Sequence, residues 1–344
     1  MAMDKSAADA YVYSKASGML ANSFVGSRAV RLFNARTLQE LWALLFDAEV
    51  PVIPETLLAK ALEAQAQKKF IAEFKSLINN YSSPSDIYVT LLHSYEYENI
   101  KQIGAALCFG EENMPEIVDV SPFNFIHYNK WPKIEEMTAD SSLSWYNRIP
   151  LVSEQQKNDY LIDSAYIQEL WASCKKIASS CRPVVMDLFF KKLCLDNVLW
   201  ALRLKIYYGM NREEIISHLA YSTEDHSLKD PFVQDALKIL DWETDSWEVW
   251  QNWKYAGLLN PHEEGVVWNV DPRWIYNVSK KEYVRKTYRL FHLYPFTECP
   301  LVCWFILKQN ELDTIRTASE SLRLNVPSEQ AIENAGILEV TNHV

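Results

Sequence analysis

The chain has 344 residues, of which 49% are hydrophobic and 13% aromatic, and it carries a formal net charge of −11. This composition excludes an intrinsically disordered chain and predicts well-packed cores. The charge repels phosphate backbones and anionic lipid surfaces, so nucleic acid is not an expected partner. The eight glycines are too scattered for a phosphate-binding loop, and neither G-x-G-x-x-G nor a Walker lysine loop occurs.

Helical spacing of apolar residues dominates the first third of the chain. Residues 38–46 carry an apolar stripe that is typical of an amphipathic helix. Pro51 and Pro54 end this helix, and a long helix is predicted over 55–78. The Ser-Ser-Pro-Ser run at 82–85 indicates a turn and cap that open the next helix. Because tight-turn signals are few, the chain is predicted to be all-α.

The middle of the chain has the strongest helical periodicity. Apolar and cysteine residues step by three and four over 158–181, and a proline closes that helix. The next helix is predicted over 184–208, with Gly209 at its C-terminal cap. Asn211 and Glu214 then form a capping-box pair that begins a short third helix.

Two segments interrupt these helices. Residues 110–150 contain four prolines and are predicted to be a loop with short helices. Short extended pieces are expected at 118–120 and 266–270, and Pro300 is expected to begin the last long helix. Residues 222–275 hold six tryptophans, for which we favour packing in a core over a partner-binding surface. They are Trp242, Trp247, Trp250, Trp253, Trp268 and Trp274.

Residues that could bind a metal or carry catalysis do not form a recognisable motif. No H-E-x-x-H sequence occurs, and Glu214 and His218 are read as part of a solvated helix face. The six cysteines include no C-x-x-C pair and are expected to be buried thiols in a reducing cytoplasm. The longest apolar run, 301–307, is too short to cross a bilayer, so we expect no direct membrane insertion. No catalytic residue, cofactor site or metal site is therefore predicted.

Three segments of the chain are similar to one another and recur at intervals of roughly a hundred residues. They are 91–100, 189–198 and 306–315. Each begins with apolar residues and ends with an acidic residue, then an amide or hydroxyl residue, then a β-branched aliphatic residue. This repetition predicts three helical lobes, over 1–112, 113–220 and 221–330, followed by a polar tail over 331–344 that we expect to fray.

The polar residues of these segments are the candidate structural site. Asn99, Asn197 and Thr314 occupy matching positions in the middle of helices, so each is expected to contact a neighbouring helix or a backbone carbonyl. Asp196 and Arg203 lie on the same side of one predicted helix, two turns apart. These two either contact a partner or belong to an internal polar network that fixes register, and we favour the network.

Several further segments carry a recognisable pattern, namely 11–31, 161–170, 194–203, 208–214 and 305–316. Their order and spacing resemble the C subunit of the V/A-type rotary ATPases, which corresponds to the d subunit of the eukaryotic vacuolar ATPase. One departure is Thr314, which stands where the family usually has asparagine. In the family an Ile-Arg pair follows this position. The arginine of that pair is Arg316 here, and we predict that it also belongs to the internal polar network.

The resemblance implies a funnel-shaped protein of three similar lobes with approximate threefold symmetry. Family members sit on the cytoplasmic face of the membrane proteolipid ring and receive the tip of the central shaft, which the D and F subunits form. They transmit torque for proton or sodium transport and hydrolyse nothing. We therefore expect a monomer when isolated, one copy per complex and a peripheral cytoplasmic location. The alternative is a free-standing helical scaffold of the solenoid type, which would need shorter and more numerous repeats.

The missing phosphate loop generates a first prediction. The purified chain should have no ATPase activity and should bind no nucleotide, because nothing in the sequence cradles a triphosphate. A phosphate-release assay and calorimetric titration with ATP measure both properties. Tight ATP binding would contradict the noncatalytic interpretation.

Overall fold

The fold of the chain is given by a computed structural model that describes residues 3–263 and 265–337. Over these residues the protein is all-α, as predicted, and contains no β-strand. In chain order the α-helices are α1 (Lys5–Ala21), α2 (Leu38–Leu45), α3 (Glu55–Ile78), α4 (Asp86–Cys108), α5 (Ile134–Thr138), α6 (Gln155–Lys176), α7 (Arg182–Tyr208), α8 (Arg212–Ser217), α9 (Gln234–Ile239), α10 (Trp247–Trp250), α11 (Pro272–Leu293), α12 (Cys299–Arg323) and α13 (Ser328–Asn334). Short 3-10 helices cover Gly26–Asn34, Tyr128–Lys130, Val152–Glu154 and Ala256–Leu258.

The helix ends follow the local signals of the sequence closely. The bounds of α3 are those predicted, and α7 ends at Tyr208 with Gly209 as its C-cap, whose φ of 61° is left-handed. The capping box before α8 is present, with Asn211 and Glu214 each accepting a hydrogen bond from the other's backbone N–H at 2.9 Å.

Two local predictions were wrong. The helix expected over 158–181 ends at Lys176. The Ile177 carbonyl just beyond its end accepts a 2.7 Å hydrogen bond from the Arg182 side chain, so it needs no further helical turn to supply a donor. The segments 118–120 and 266–270 form no strand, since they lack a neighbouring extended chain with which to pair.

The described residues cluster into two compact units. The terminal unit comprises the described residues of 1–83 and 242–344, and the central unit comprises residues 84–241. The first three helices thus fold with the part of the chain that begins at Trp242, a long-range pairing that no local sequence signal indicates. The division into three similar lobes stays a prediction.

The terminal unit is built around α12, which packs against α1, α3 and α11. Every residue from 299 to 308 is buried, so this stretch of the helix is enclosed on all sides rather than on one face. Phe74 of α3 stacks on Trp304 with ring centroids 5.9 Å apart and planes 9° apart, and Phe70 packs on Phe305 at 5.0 Å.

The tryptophan-rich segment also packs inside the terminal unit. Trp250, Trp253 and Trp268 are buried. The Trp250 ring lies 5.1 Å from that of Trp242 and 5.3 Å from that of Trp253, both edge-on, and Trp247 meets Trp268 at 5.1 Å. Since α10 is a single turn, these rings, and not regular backbone structure, hold the segment together.

The start of the segment predicted to be a frayed tail is folded. Residues of α13 are helical, and Ala331 and Ala335 are buried against the core that Leu58 and Leu62 of α3 help to form. The small alanines let this short helix approach closely enough to be held by packing. The remainder of the predicted tail, 338–344, lies outside the described residues.

The central unit pairs α4 with α6, and α7 with α6 and α9. Gly104 of α4 allows a close approach, because a Cβ atom there would lie 2.1 Å from the Tyr146 hydroxyl. Tyr97, Ile100 and Met137 belong to the buried cluster beside this contact. Among the described residues of the whole chain, no helix has the length and apolar character needed to cross a membrane.

Candidate functional site: buried polar positions of three related helices

The three matching polar residues are all buried in the middle of long helices. Asn99 of α4 is 0% exposed, Asn197 of α7 is 3% exposed and Thr314 of α12 is 1% exposed. Each is followed by a buried aliphatic residue and preceded by an exposed acidic residue. Because a buried polar group without a partner is costly, the partners of these three residues define the site.

Asn99 pairs with both backbone groups of a single distant residue. Its Nδ2 donates to the Val118 carbonyl at 2.9 Å, and its Oδ1 accepts from the Val118 N–H at 2.9 Å. Nδ2 also donates to the Tyr128 hydroxyl at 2.8 Å. The carboxamide therefore takes the place of a neighbouring strand for the connection that follows α4.

Asn197 makes the same two-point pair in α7. Its Nδ2 donates to the Ala220 carbonyl at 2.8 Å, and its Oδ1 accepts from the Ala220 N–H at 2.8 Å. A second donor bond reaches the Phe232 carbonyl at 2.9 Å. An asparagine carboxamide therefore anchors the connection after α4 and the connection after α7 in the same way.

Thr314 in α12 behaves differently, because its hydroxyl bonds to a carbonyl of its own helix. Its Oγ1 donates to the Asn310 carbonyl one turn earlier, at 2.8 Å. The distant backbone contact of α12 comes from Glu311, whose Oε1 accepts from the Phe24 N–H at 2.5 Å. Lys308 lies within ion-pair distance of Glu311 and neutralises its buried charge.

The related segment of α4 also carries a buried glutamate at the position that Glu311 occupies in α12. The sequence-based predictions do not include this position. Glu96, also three residues before the matching polar residue, is 0% exposed and accepts from the N–H groups of Phe125 at 3.0 Å and Ile126 at 3.1 Å. In α7 the corresponding residue is Cys194, whose thiol donates to the Pro231 carbonyl at 3.5 Å. When the three segments are aligned, Glu96, Cys194 and Glu311 occupy one position. This recurrence of polar residues is the sequence feature that would have identified the position.

The acidic residues of the repeat serve another purpose. Glu98 lies 2.7 Å from Lys101, and Asp196 lies 2.7 Å from Lys192 on the surface of α7. Exposed pairs of this kind add little stability. Asp196 is therefore on the solvated side of the helix whose buried side carries Asn197.

The two arginines of the predicted network lie on different helices. Arg203 is half-buried on α7. Arg316 reaches from α12 to α3, where its Nε lies 3.3 Å from Glu63 Oε2. Whether Asp196, Arg203 and Arg316 act in one network with the buried asparagines stays a prediction.

A histidine and a carboxylate tie α4 to α6 beside Asn99. His93 Nδ1 lies 2.6 Å from Glu169 Oε1, and His93 Nε2 lies 3.0 Å from the Phe123 carbonyl. Tyr97 donates to Glu169 Oε2 at 2.8 Å. His93 therefore joins α4 both to α6 and to the connection that follows α4.

Opposing effects set the ionisation of the half-buried Glu169 and the buried Glu96. Burial favours the neutral form of Glu169, but the hydrogen bonds and charge of His93, with the bond from Tyr97, outweigh it and lower the pKa of Glu169. Burial also raises the pKa of Glu96, and the bonds from Tyr128 and the backbone oppose this only in part. Burial similarly raises the pKa of Tyr97.

The remaining candidates for chemistry are a histidine on α8 and a pair of cysteines on α12. Among residues 3–263 and 265–337, no group of three or more histidine, cysteine or acidic side chains could hold a metal ion. His218 contacts the backbone carbonyl of Glu214 at 2.8 Å through its Nδ1. Cys299 and Cys303 are buried thiols 3.7 Å apart. The site is thus a set of structural contacts that fix connections to helices.

The comparison with protein families places the chain in a known family. A family model described as ATP synthase (C/AC39) subunit matches residues 14–334, so the chain belongs to the ATP synthase C/AC39 subunit family. This confirms the resemblance to the C and d subunits of the V/A-type ATPases. An uncharacterized protein of Treponema pallidum (strain Nichols) is 26% identical over 322 residues, which are 94% of each chain.

Replacing Asn197 by leucine should destabilise the central unit. The Ala220 N–H and two carbonyls would lose their partners in a buried site, which costs roughly 2–4 kcal/mol in the free energy of unfolding. Urea unfolding monitored by circular dichroism measures the loss. Asn22→Leu is the matched control, since Asn22 is exposed and makes a local bond only, and it should change stability by less than about 0.5 kcal/mol. Equal effects of the two substitutions would contradict this role of Asn197.

Glu169→Gln should change the pH dependence of stability. The pKa of Glu169 is lowered in the folded state, so its contribution is present above the ordinary value of 4.5 and is lost as the pH falls through the folded-state pKa. The variant should be less stable than wild type by about 2 kcal/mol near neutral pH, because His93 and Tyr97 lose a charged acceptor. Urea unfolding at a series of pH values should show this gap shrinking towards about pH 3.

The control for this titration is Glu111→Gln, at an exposed position. It should show no comparable gap at any pH, because surface substitutions away from such contacts change stability little. A gap for Glu169→Gln that stays constant between neutral and acidic pH would show that the carboxylate charge is not what stabilises the fold.

Proposed function

We propose that the chain is a noncatalytic connector in the central stalk of a V/A-type rotary ATPase. It couples the rotating shaft, formed by the D and F subunits, to the proteolipid ring on the cytoplasmic face of the membrane, with one copy per complex. The observation that carries this proposal is the family match over residues 14–334. Three helical lobes with approximate threefold symmetry are part of the same proposal.

The packing of the helices supports a role in transmitting torque. A connector that carries torque must resist deformation, and densely packed helices do so because a close-packed core is stiff. In the terminal unit the fully buried start of α12 stacks on α3 through Trp304 and Phe305. In the central unit the buried asparagines anchor the long connections to α4 and α7.

Exposed apolar residues at three matching helix ends supply candidate docking points. Phe109, Tyr207 and Leu324 lie the same number of residues beyond Asn99, Asn197 and Thr314. They are 69%, 55% and 59% exposed, respectively, at or next to the C-terminal ends of α4, α7 and α12. Large apolar side chains that recur exposed at matching positions favour use as contacts to a partner, here the ring.

The charge of the chain supports an electrostatic component of the same contact. A net charge of −11 calls for basic groups on at least one partner. Attraction between exposed charges is screened as ionic strength rises, so the complex should form in low salt and loosen in high salt. The apolar helix ends would then supply the part of the binding that salt does not weaken.

The proposal is tested by purifying the tagged chain from its native membranes under gentle lysis in low salt. The ring and the shaft subunits should copurify, with one chain per ring by native mass spectrometry. In the triple variant Phe109→Ser/Tyr207→Ser/Leu324→Ser, ring recovery should fall at least about tenfold, because three apolar contacts are removed together. The melting temperature should stay close to that of wild type, since all three side chains are exposed.

The matched control is Leu228→Ser/Val266→Ser/Leu293→Ser, at positions that are 55%, 59% and 55% exposed. This variant should recover the ring like wild type. Equal loss in both triple variants would contradict the assignment of the helix ends. A wild-type chain that copurifies with no component of a rotary ATPase would contradict the proposed function itself.

A further inference from the structure

The terminal unit contains a large cavity whose wall is positively charged. Its volume is about 960 Å³, near the upper end of the range for small-molecule sites. The wall comes from the 3-10 helix Gly26–Asn34 with the residue before it, from α11 and α12, and from the residues that follow α13. None of the described side chains that line it is acidic, although the chain as a whole carries a charge of −11.

Four cationic side chains from two elements line this cavity, namely Arg28, Lys280, Lys281 and Arg285. The Arg28 guanidinium is fixed by hydrogen bonds to the carbonyls of Ala21 at 2.9 Å and Leu20 at 2.5 Å. The other three project from α11, which contains six lysines and arginines and a single glutamate. Of these three, Lys280 also lies 3.9 Å from Asp313 Oδ2 on α12, so the proposal relies on the other two. Such a concentration of one sign in a concave site attracts and orients an anion.

The backbone adds a further positive element. The 3-10 helix begins at Gly26, its N-cap Val25 makes no side-chain capping bond, and Gly26 and Ser27 lie in the cavity wall. The first N–H groups of a helix carry a partial positive charge and suit an anionic oxygen. Glycine at this place also leaves the backbone open to close approach by a ligand.

The rest of the wall indicates what kind of anion fits. Val25, Ala29 and Val284 provide apolar surface, while Ser27 and Asn310 provide neutral polar groups. A bare phosphate would leave most of the volume empty. A sugar or polyol body would fill it, since its C–H faces suit the apolar surface and its hydroxyl groups suit the polar one. Because the cations lie on two different elements, a ligand that contacts both sets needs more than one anionic group.

We propose that this cavity binds a small water-soluble phosphorylated sugar or polyol, with two phosphate groups held by Arg28 on one side and by Lys281 and Arg285 on the other. The site lies wholly within the terminal unit and does not depend on the proposed connector function. A bound ligand would join the 3-10 helix to α11 and would stabilise the unit by mass action.

The test uses the full-length wild-type chain and three probes: fructose 1,6-bisphosphate, glucose 6-phosphate and inorganic phosphate. Calorimetry should give affinities that decrease in that order, with about tenfold between the first and the last, because each phosphate adds charge-assisted hydrogen bonds. The first probe should also raise the melting temperature, since it binds the folded state.

The variant Lys281→Ala/Arg285→Ala should weaken binding of fructose 1,6-bisphosphate at least about tenfold. Its matched control is Lys286→Ala/Arg289→Ala, which removes the same charge from the same helix at positions outside the cavity wall. The control should bind within about twofold of wild type, and circular dichroism should show that both variants are folded.

Three outcomes would overturn the proposal. One is that none of the probes binds wild type. Another is that both double variants weaken binding equally, which would mean that α11 attracts anions without a site. The third is that phosphatidylcholine vesicles containing a phosphoinositide bind while the soluble bisphosphate does not, which would assign the cations to a lipid surface.

Discussion

A buried asparagine that exchanges two hydrogen bonds with the backbone of one distant residue organises each half of the central unit. Asn99 holds Val118, and Asn197 holds Ala220. The connections that contain these residues have little regular structure, so their backbone groups need partners from elsewhere. A carboxamide has the donor and acceptor of a peptide group, and it can therefore support one residue of a connection without a second strand.

Other features of the central unit depend on the same anchors. Once Asn99 fixes Val118, the chain beyond it can bring the N–H groups of Phe125 and Ile126 to Glu96. The Phe123 carbonyl reaches His93, which in turn bonds Glu169 of α6. The result is a connected polar network at the α4–α6 contact, in which the removal of one member leaves others buried without partners.

In the terminal unit a buried helix also anchors a distant backbone segment, but through different side chains. Its related helix carries Thr314, which bonds only within α12, and the distant backbone contact passes to Glu311 and Phe24. Phe24 belongs to the first part of the chain, so the contact closes the unit between its two ends. The same segment continues into the 3-10 helix beside the cationic cavity. The backbone segment that Glu311 anchors at Phe24 therefore also forms part of the charged cavity wall.

Local chemistry in the sequence determined much of this protein. Proline, glycine and capping residues set the ends of α3, α7 and α8, and apolar periodicity set the all-α class, because these effects act over a few residues. The aligned segments identified Asn99 and Asn197 as special, since a polar residue in a buried helical stripe requires a partner. The order and spacing of a second set of segments, from 11–31 to 305–316, resembled the C subunit of the V/A-type ATPases, and the family match confirms this resemblance.

Tertiary structure alone decided which groups those polar residues meet. Nothing near Asn197 in sequence specifies Ala220, and nothing near Glu311 specifies Phe24, because such pairs form only when distant segments pack. The pairing of α1–α3 with α12, the burial of Ala331 and the gathering of Arg28 with Arg285 around one cavity have the same origin. Side chains that are far apart along a chain acquire a common environment only through the fold, and periodicity carries no information about it.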